Sequence, residues 1–140
     1  MIIGIGTDLV YIPRVAQTYD KQGDCFLQRC FADPEIEYIL QAKDTHAQAC
    51  RIAKRWAAKE ALAKALGTGI SGTIHLKDIY VVHDTNGAPG LVVQNGAEQQ
   101  LQDYAKNKGA TQTNQPKIHL SLTDDENYAQ AFVVLSLENG

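Results

Sequence analysis

An alanine-rich stretch at residues 55–69, RWAAKEALAKALGTG, constrains the fold of this chain more than any other feature. Its alanines favour a helix, because alanine has the highest helix propensity of all residues. Gly67 predicts the end of that helix, since glycine adopts the left-handed backbone of a helix C-terminus without a steric penalty. A start signal lies upstream at Asp44–Thr45. Together these signals predict one long central helix from about Ala47 to Leu66, against which the other elements must pack.

Glu60 and Lys64 lie four residues apart in that helix, so both side chains project from one face. Such a pair is commonly a surface ion pair worth only ~0.3–0.5 kcal/mol. Two features favour a functional site instead. The helix leads into the loop GTGIS, whose glycines let backbone N–H groups approach a phosphate. Residues 43–64 also carry six basic side chains against two acidic ones, a net charge of +4 in a chain of net charge −3.

A positive segment within an acidic chain indicates an anionic ligand or partner. The helix face that carries Glu60 and Lys64 continues through Ala53 and Ala57. Their small side chains predict that another backbone or a ligand approaches the helix closely at that point.

At 140 residues the chain is expected to form one domain over 1–140. No apolar run approaches the ~18 residues that span a membrane, and the first residues lack the basic region and cleavage site of a signal peptide. Cys25, Cys30 and Cys50 form no CxxC pattern, which argues against a disulfide framework and a zinc site. We therefore expect a cytoplasmic protein with reduced cysteines, no membrane association and, given its acidity, no nucleic-acid partner.

The segment Ile2–Gly6 is predicted to form a short buried strand whose glycines allow another backbone to approach closely. Asp8 follows at the end of this strand, and two roles are open for it. One is the N-cap of a helix that begins at Leu9, the commoner use of such an aspartate. The other is a carboxylate held rigidly at a strand terminus, where it can bind a hard cation. The residues alone do not decide between the two.

The remaining sequence predicts separate helices and largely antiparallel strands. Asp33 is expected to cap a helix that runs to about Ala42, with Pro34 at its first position. Asn86–Gly87 is a hairpin signal between two short apolar runs. The other predicted elements are helices at 12–19 and 96–108 and strands at 79–82, 91–93, 117–123 and 128–137, with 109–115 as a loop. This pattern predicts an α+β fold, with a mostly antiparallel sheet packed against the long central helix.

His119 lies on a predicted strand in which apolar and polar residues alternate strictly. His119 shares the polar face with Ser121 and Thr123. A lone histidine on such a strand is most often a hydrogen-bonded bystander. This row of three hydrogen-bonding side chains favours a polar cleft instead.

Three separated segments match one family pattern, and their order and spacing cover essentially the whole chain. They are GIGTDLVYIPR near the start, KRWAAKEALAKALGTGI in the centre and HLSLTDDENYAQAFVVL further on. The chain resembles the holo-acyl-carrier-protein synthases, the small bacterial-type 4′-phosphopantetheinyl transferases. The resemblance implies a 4′-phosphopantetheinyl transferase-like fold and a homotrimer with active sites between subunits. It also implies Mg²⁺-dependent transfer of 4′-phosphopantetheine from coenzyme A (CoA) to a serine of apo-acyl carrier protein, in fatty acid biosynthesis.

The resemblance also assigns roles to residues by their matching positions. Asp8 and Glu60 are implied to bind the metal, and Lys64 and His119 to contact the CoA phosphates or their surroundings, all four at the catalytic centre. Arg14 is implied in docking of the carrier protein. The residues implied to hold CoA are Arg55, Gly67, Thr68 and Gly69, with Ser121 nearby.

The implied reaction agrees with the chemistry of these side chains. Mg²⁺ prefers few carboxylates together with phosphate oxygens and water, so two acids are a sensible number. Lys64, one turn beyond Glu60, can reach a phosphate from the same helix face. The base that takes the serine proton is left open among Glu60, a metal-bound water, and Asp8 or His119 acting through water.

Two features depart from the family pattern. Asp124 stands where many members carry a histidine after the HxSxT segment, which puts a role of that histidine in question here. The helix that carries Arg14 has few further basic residues, although an acidic carrier protein favours several. Alternative functions are the same transfer to a polyketide- or peptide-synthase carrier, a CoA or nucleotide hydrolase, and a non-catalytic CoA-binding protein. The retained Asp8, Glu60 and Lys64 argue against the last.

Overall fold

The computed structural model describes residues 1–69 and 74–140 and confirms the predicted α+β class. The helices are α1 (Ile12–Gln22), α2 (Asp24–Cys30), α3 (Asp33–Leu40), α4 (Thr45–Ala65) and α5 (Asn95–Asn107), and a short 3₁₀ turn spans Leu76–Asp78. The strands are β1 (Ile2–Tyr11), β2 (Ile79–His83), β3 (Pro89–Val93), β4 (Asn114–Asp125) and β5 (Tyr128–Asn139). In the described part of the chain, no helix is both long and apolar enough to cross a membrane.

Two antiparallel sheets flank the central helix. The larger sheet has the strand order β1-β5-β4, so that β1 and β4 both pair with β5, and β2 and β3 form a separate hairpin. The main core lies between α4 and the larger sheet, where alanine and leucine side chains of the helix pack against β5. Members of that core include Ala58, Ala61, Leu62, Ala131, Val133 and Leu135. The larger sheet therefore has one face covered by α4 and one face turned away from the core.

The signals for the central helix are confirmed at both ends. The Asp44 carboxylate accepts a hydrogen bond from the Ala47 N–H at 2.7 Å and caps the first turn of α4. Gly67 follows the helix with φ of +73°, the left-handed backbone that ends it.

The close approach to α4 occurs one turn away from the position predicted from Ala53 and Ala57. A Cβ atom placed on Gly6 of β1 would lie 2.0 Å from the Ala61 carbonyl oxygen, and one on Gly4 would lie 2.5 Å from that of Ala65. The two glycines therefore let β1 lie directly against the backbone of α4. Ala53 and Ala57 are also fully buried, but they pack among core side chains.

Three local predictions need correction. Asp33 is the first helical residue of α3 and not its cap, because the chain enters the helix at Ala32, whose N–H bonds to the Glu35 side chain at 3.1 Å. The first strand runs on from Gly6 to Tyr11, because β5 supplies pairing partners along its whole length. Strand β4 begins at Asn114, inside the predicted loop, since Asn114 pairs with Asn139.

Candidate functional site

Asp8 lies within β1 and faces α4, so the cap role left open for it is not the one found. Helix α1 starts only at Ile12, with Tyr11 at the cap position. Pairing of Asp8 with Ala131 of β5 fixes the aspartate backbone from its neighbouring strand. The carboxylate thus projects from a rigid element toward the long helix, as the metal-binding interpretation requires.

Lys64 of α4 forms an ion pair with Asp8 of β1. Its Nζ lies 2.9 Å from Asp8 Oδ1 and 3.0 Å from the Thr7 carbonyl oxygen. The Lys64 side chain is 54% exposed and that of Asp8 is 16% exposed. An ion pair this accessible is weak in water, and either partner can exchange it for a ligand.

Asp8 and Glu60 line one cavity of about 360 Å³ between β1, α1, α2 and α4. Arg14 stands at the same cavity and brings a positive charge to it. The remaining wall is largely apolar and includes Val10, Val15, Phe26 and Trp56. The structure therefore brings together three of the four predicted catalytic residues, Asp8, Glu60 and Lys64, with the predicted docking residue Arg14 beside them.

Burial raises the pKa of Glu60, and the nearby Asp8 carboxylate raises it further, while Lys64 lowers it. Two carboxylates at one cavity offer a favourable place for a cation. Their oxygen donors suit a hard divalent ion, which takes few carboxylates and keeps positions for phosphate and water. Among the described residues no group of three or more His, Cys, Asp and Glu side chains is arranged to hold a metal. Asp8 and Glu60 therefore offer only part of the ligand set of a divalent ion.

Two of the six basic residues in the 43–64 segment are buried, which changes the interpretation of its charge. Arg55 is 2% exposed, and its guanidinium lies 4.2 Å from the centre of the Tyr38 ring. Arg51 stacks on the same ring at 4.0 Å. Lys59 is fully buried and paired with Glu35 at 2.7 Å. Arg55, predicted to hold CoA, is therefore covered within the single chain.

The glycine-rich loop after α4 is only partly as predicted. The Gly67 N–H donates to the Lys64 carbonyl at 3.0 Å, and the Gly69 N–H donates to the Ala63 carbonyl at 3.3 Å. These N–H groups therefore close the helix end and are not free for a phosphate. Thr68 between them is exposed. The last two residues of the predicted loop, Ile70 and Ser71, lie outside the described residues.

His119 is not brought to this site within one chain. The register pairs Asp8 with Ala131 and His119 with Val134, three residues further along β5, so the two side chains project from opposite faces of the sheet. The alternation predicted for β4 is confirmed, with Ser121 on the same face as His119. On that face His119 Nε2 lies 2.9 Å from both Ser136 Oγ and Glu138 Oε1.

Residue-by-residue interpretation of the sequence missed Glu35 and Lys59. In the sequence Glu35 is one acidic residue after Pro34, and Lys59 is one of the six basic residues of the 43–64 segment. The two are 24 residues apart and meet only in the folded chain. The one sequence signal for Lys59 is that it directly precedes Glu60.

The comparisons with known proteins agree on one family. The model of the 4′-phosphopantetheinyl transferase superfamily matches residues 4–133. A holo-[acyl-carrier-protein] synthase of Wolbachia pipientis (subsp. Culex pipiens) is 43% identical over 138 residues, which cover 99% of this chain and 100% of that protein. The crystal structure of holo-[acyl-carrier-protein] synthase from Neisseria meningitidis aligns with a TM-score of 0.76 at 34% identity and covers 97% of this chain and 99% of its own.

A second solved structure carries a ligand. It is a holo-(acyl-carrier-protein) synthase from Bacillus anthracis in complex with CoA (3′,5′-ADP), with a TM-score of 0.73 at 30% identity. The alignment covers 96% of each chain.

Proposed function

The chain belongs to the 4′-phosphopantetheinyl transferase superfamily, and from this membership we propose that it is a holo-acyl-carrier-protein synthase. It transfers the 4′-phosphopantetheine group of CoA to a serine of apo-acyl carrier protein and releases adenosine 3′,5′-bisphosphate. The observation that carries this proposal is that Asp8 and Glu60 line one cavity while Lys64 pairs with Asp8. CoA is the donor, in line with the CoA complex of the relative from Bacillus anthracis.

Asp8 and Glu60 are the residues that would hold Mg²⁺. Both offer carboxylate oxygens to the same cavity from two different rigid elements, and the Asp8 carboxylate raises the pKa of Glu60. This donor set fits a hard divalent ion. When bound, the ion neutralises charge on the pyrophosphate group whose P–O bond breaks.

Lys64 supplies a mobile positive charge at the edge of the cavity. Its side chain is more than half exposed, and its partners are one Asp8 carboxylate oxygen and the Thr7 carbonyl oxygen. A lysine in this position can leave Asp8 and turn to a phosphate oxygen at little cost. It thereby stabilises negative charge on the phosphates during transfer, in which positioning and electrostatics supply most of the catalysis.

Glu60 is the base that we propose for the proton of the carrier serine. In the reaction the serine oxygen forms a bond to the phosphorus that carries pantetheine, the bond to the nucleotide phosphate breaks, and the hydroxyl proton must leave. Burial and Asp8 raise the pKa of Glu60 in the metal-free protein, and a bound cation would lower it again. The assignment as base therefore rests on the position of Glu60 at the cavity beside Arg14. Asp8 is a poorer candidate for this base because its carboxylate is already paired with Lys64.

The trimer is proposed from the family resemblance, and the uncovered sheet face supports an interface between subunits. Large apolar side chains are exposed there on β1 and β5, namely Ile5, Leu9, Tyr128 and Phe132. An exposed apolar patch on a sheet marks an interface, and further copies of the chain are the occupant that we propose. His119 and Ser121 lie on this same face, so a neighbouring subunit would supply them to the CoA site.

Light scattering of wild type and a Phe132→Asp variant tests this part of the proposal. Phe132 lies on the outer face, so the aspartate is expected to break the assembly without entering the core. A wild-type monomer would count against the trimer.

Arg14 is proposed to dock the carrier protein. It lies beside the apolar part of the cavity formed by Val15, Phe26 and Trp56, next to the carboxylates. An acidic carrier is attracted by the guanidinium and can place an apolar side chain in this part of the cavity. The serine would then arrive close to Glu60.

The CoA site is proposed to include four further residues near the end of α4, namely Arg55, Gly67, Thr68 and Gly69. Arg55 and Arg51 both stack on the Tyr38 ring. The two glycines set the backbone that ends α4 beside Lys64. We place the single-domain enzyme in the cytoplasm, in fatty acid biosynthesis.

Intact-mass spectrometry of an apo-acyl carrier protein tests the proposed activity. The carrier is incubated with the enzyme, CoA and Mg²⁺, beside an Asp8→Ala variant and a reaction without metal. We expect a mass gain of one phosphopantetheine that is lost in both controls. Consumption of CoA without a mass gain would indicate a hydrolase and overturn the proposal.

A further inference from the structure

Lys59 belongs to the same motif as Glu60 and Lys64 but has no free donor. Its side chain is fully buried, and its ammonium group donates to Glu35 Oε1 at 2.7 Å, to the Leu76 carbonyl at 2.9 Å and to the Ile79 carbonyl. An ammonium group has three N–H donors, and all three are used. Lys59 therefore contacts neither CoA nor the carrier protein.

Glu35 completes a closed network around this lysine. Its Oε1 accepts from the Ala32 N–H at 3.1 Å as well as from Lys59, and its Oε2 accepts from the Val81 N–H at 3.1 Å. Through these bonds one carboxylate joins the start of α3, the middle of α4 and strand β2. The 3₁₀ turn joins the same network through Leu76.

The network and the candidate site lie on different sides of α4. Lys59 and Glu60 are neighbours, so their side chains leave the helix about 100° apart. Lys59 points to α3 and β2, whereas Glu60 lines the cavity shared with Asp8 of β1. On the β1 side the helix rests against Gly4 and Gly6. A rotation or shift of α4 would therefore move Glu60 relative to Asp8.

We propose that Glu35 is a positioning residue, which fixes the rotation and axial position of α4 through Lys59 and so places Glu60 opposite Asp8. The proposal rests on the proposed function, in which these two carboxylates bind a divalent cation. Stability alone is a poor reason for such a pair, since apolar residues of similar volume often stabilise a core equally well. Directional hydrogen bonds, unlike apolar contacts, specify one arrangement of the elements they join.

The test measures Mn²⁺ binding by EPR in the presence of CoA. A blank that contains CoA without protein corrects for Mn²⁺ bound by CoA itself. Glu35→Gln removes the charge, and Glu35→Asp keeps the charge but withdraws the carboxylate by one methylene. Leu101→Ala is the matched control, because it damages a buried position of α5 outside the network. All proteins are compared at a temperature at which circular dichroism shows them folded.

We expect both Glu35 variants to bind Mn²⁺ about 10-fold or more weakly, the size typical of lost outer-shell support, and Leu101→Ala to bind it as wild type does. Glu35 variants that are less stable but bind Mn²⁺ like wild type would overturn the positioning role. Wild-type protein that fails to bind Mn²⁺ would overturn the metal site and the positioning role together. If Glu35→Gln does not fold, Glu35→Asp decides.

Discussion

Two lysines of α4, five residues apart, form ion pairs of nearly equal length with opposite consequences. Lys59 meets Glu35 at 2.7 Å and Lys64 meets Asp8 at 2.9 Å. Both side chains of the first pair are fully buried, whereas Lys64 is 54% exposed and Asp8 16%. The first pair is enclosed in hydrogen bonds, and the second has solvent on one side.

The difference shows that burial, and not the length of the ion pair, separates a structural contact from an exchangeable one. Leaving a buried charge unpaired is costly, so Lys59 and Glu35 cannot separate in the folded chain. Exposed partners lose little when water or a ligand replaces one of them. In the proposed reaction Asp8 and Lys64 would therefore exchange each other for a cation and a phosphate.

Replacement of Glu35 by alanine breaks the buried pair and has the largest expected effect. It leaves Lys59 charged and unpaired in the core, and we expect the free energy of unfolding to fall by about 3–5 kcal/mol. Urea denaturation followed by circular dichroism measures this change. Glu37→Ala is the control, since Glu37 is exposed on the same helix and its loss should cost less than about 0.5 kcal/mol. Equal effects of the two variants would remove the contrast between the pairs.

Asp8→Asn breaks the exposed pair and should affect turnover far more than stability. We expect the transfer rate to fall about 100-fold or more, the size of losing one preorganised electrostatic group. Its free energy of unfolding should change by less than about 1 kcal/mol. Carrier-protein mass spectrometry and urea denaturation give the two values, with Asp103→Asn on the exposed face of α5 as the control. A large loss of stability without a loss of turnover would contradict this view of the pair.

The pKa of Glu60 gives the smallest and most local test. Asp8→Asn removes a charge that raises this pKa and should lower it, whereas Lys64→Met removes a charge that lowers it and should raise it. Carboxyl ¹³C NMR of the metal-free protein follows both shifts. Because the folded-state pKa lies above the unfolded one, the free energy of unfolding falls as pH rises across the window between them. Shifts of the same sign in both variants would show that Glu60 does not lie between these two charges.

Local signals in the sequence predicted the elements but not their partners. The alanines, Asp44 and Gly67 define α4 through contacts within a few residues, and the alternation around His119 defines β4 in the same way. The length of β1 was underestimated because its second half depends on pairing with β5. Sequence separation hides such pairing from any local pattern.

The candidate site shows the same limit. Asp8, Glu60 and Lys64 were all predicted. A carboxylate after a glycine-containing strand and a Glu–Lys pair on a helix are visible in the sequence, and the family resemblance supplied their roles. Alternation placed His119 on a polar face, yet it could not say that this face is the one turned away from α4. The burial of Lys59 was also hidden, since a lysine in a basic segment is usually a solvated residue.

The pairing of β1 with β5 also has a consequence for the order in which the molecule forms. Thr7 of β1 bonds to Ala131 of β5 across a separation of 124 residues, whereas α4 and the β2–β3 hairpin need only nearby partners. Contacts between residues so distant along the chain form slowly. During synthesis they cannot form until β5 has emerged from the ribosome. Asp8 precedes every helix in the sequence, but it can take its place opposite Glu60 only after the last strand is made.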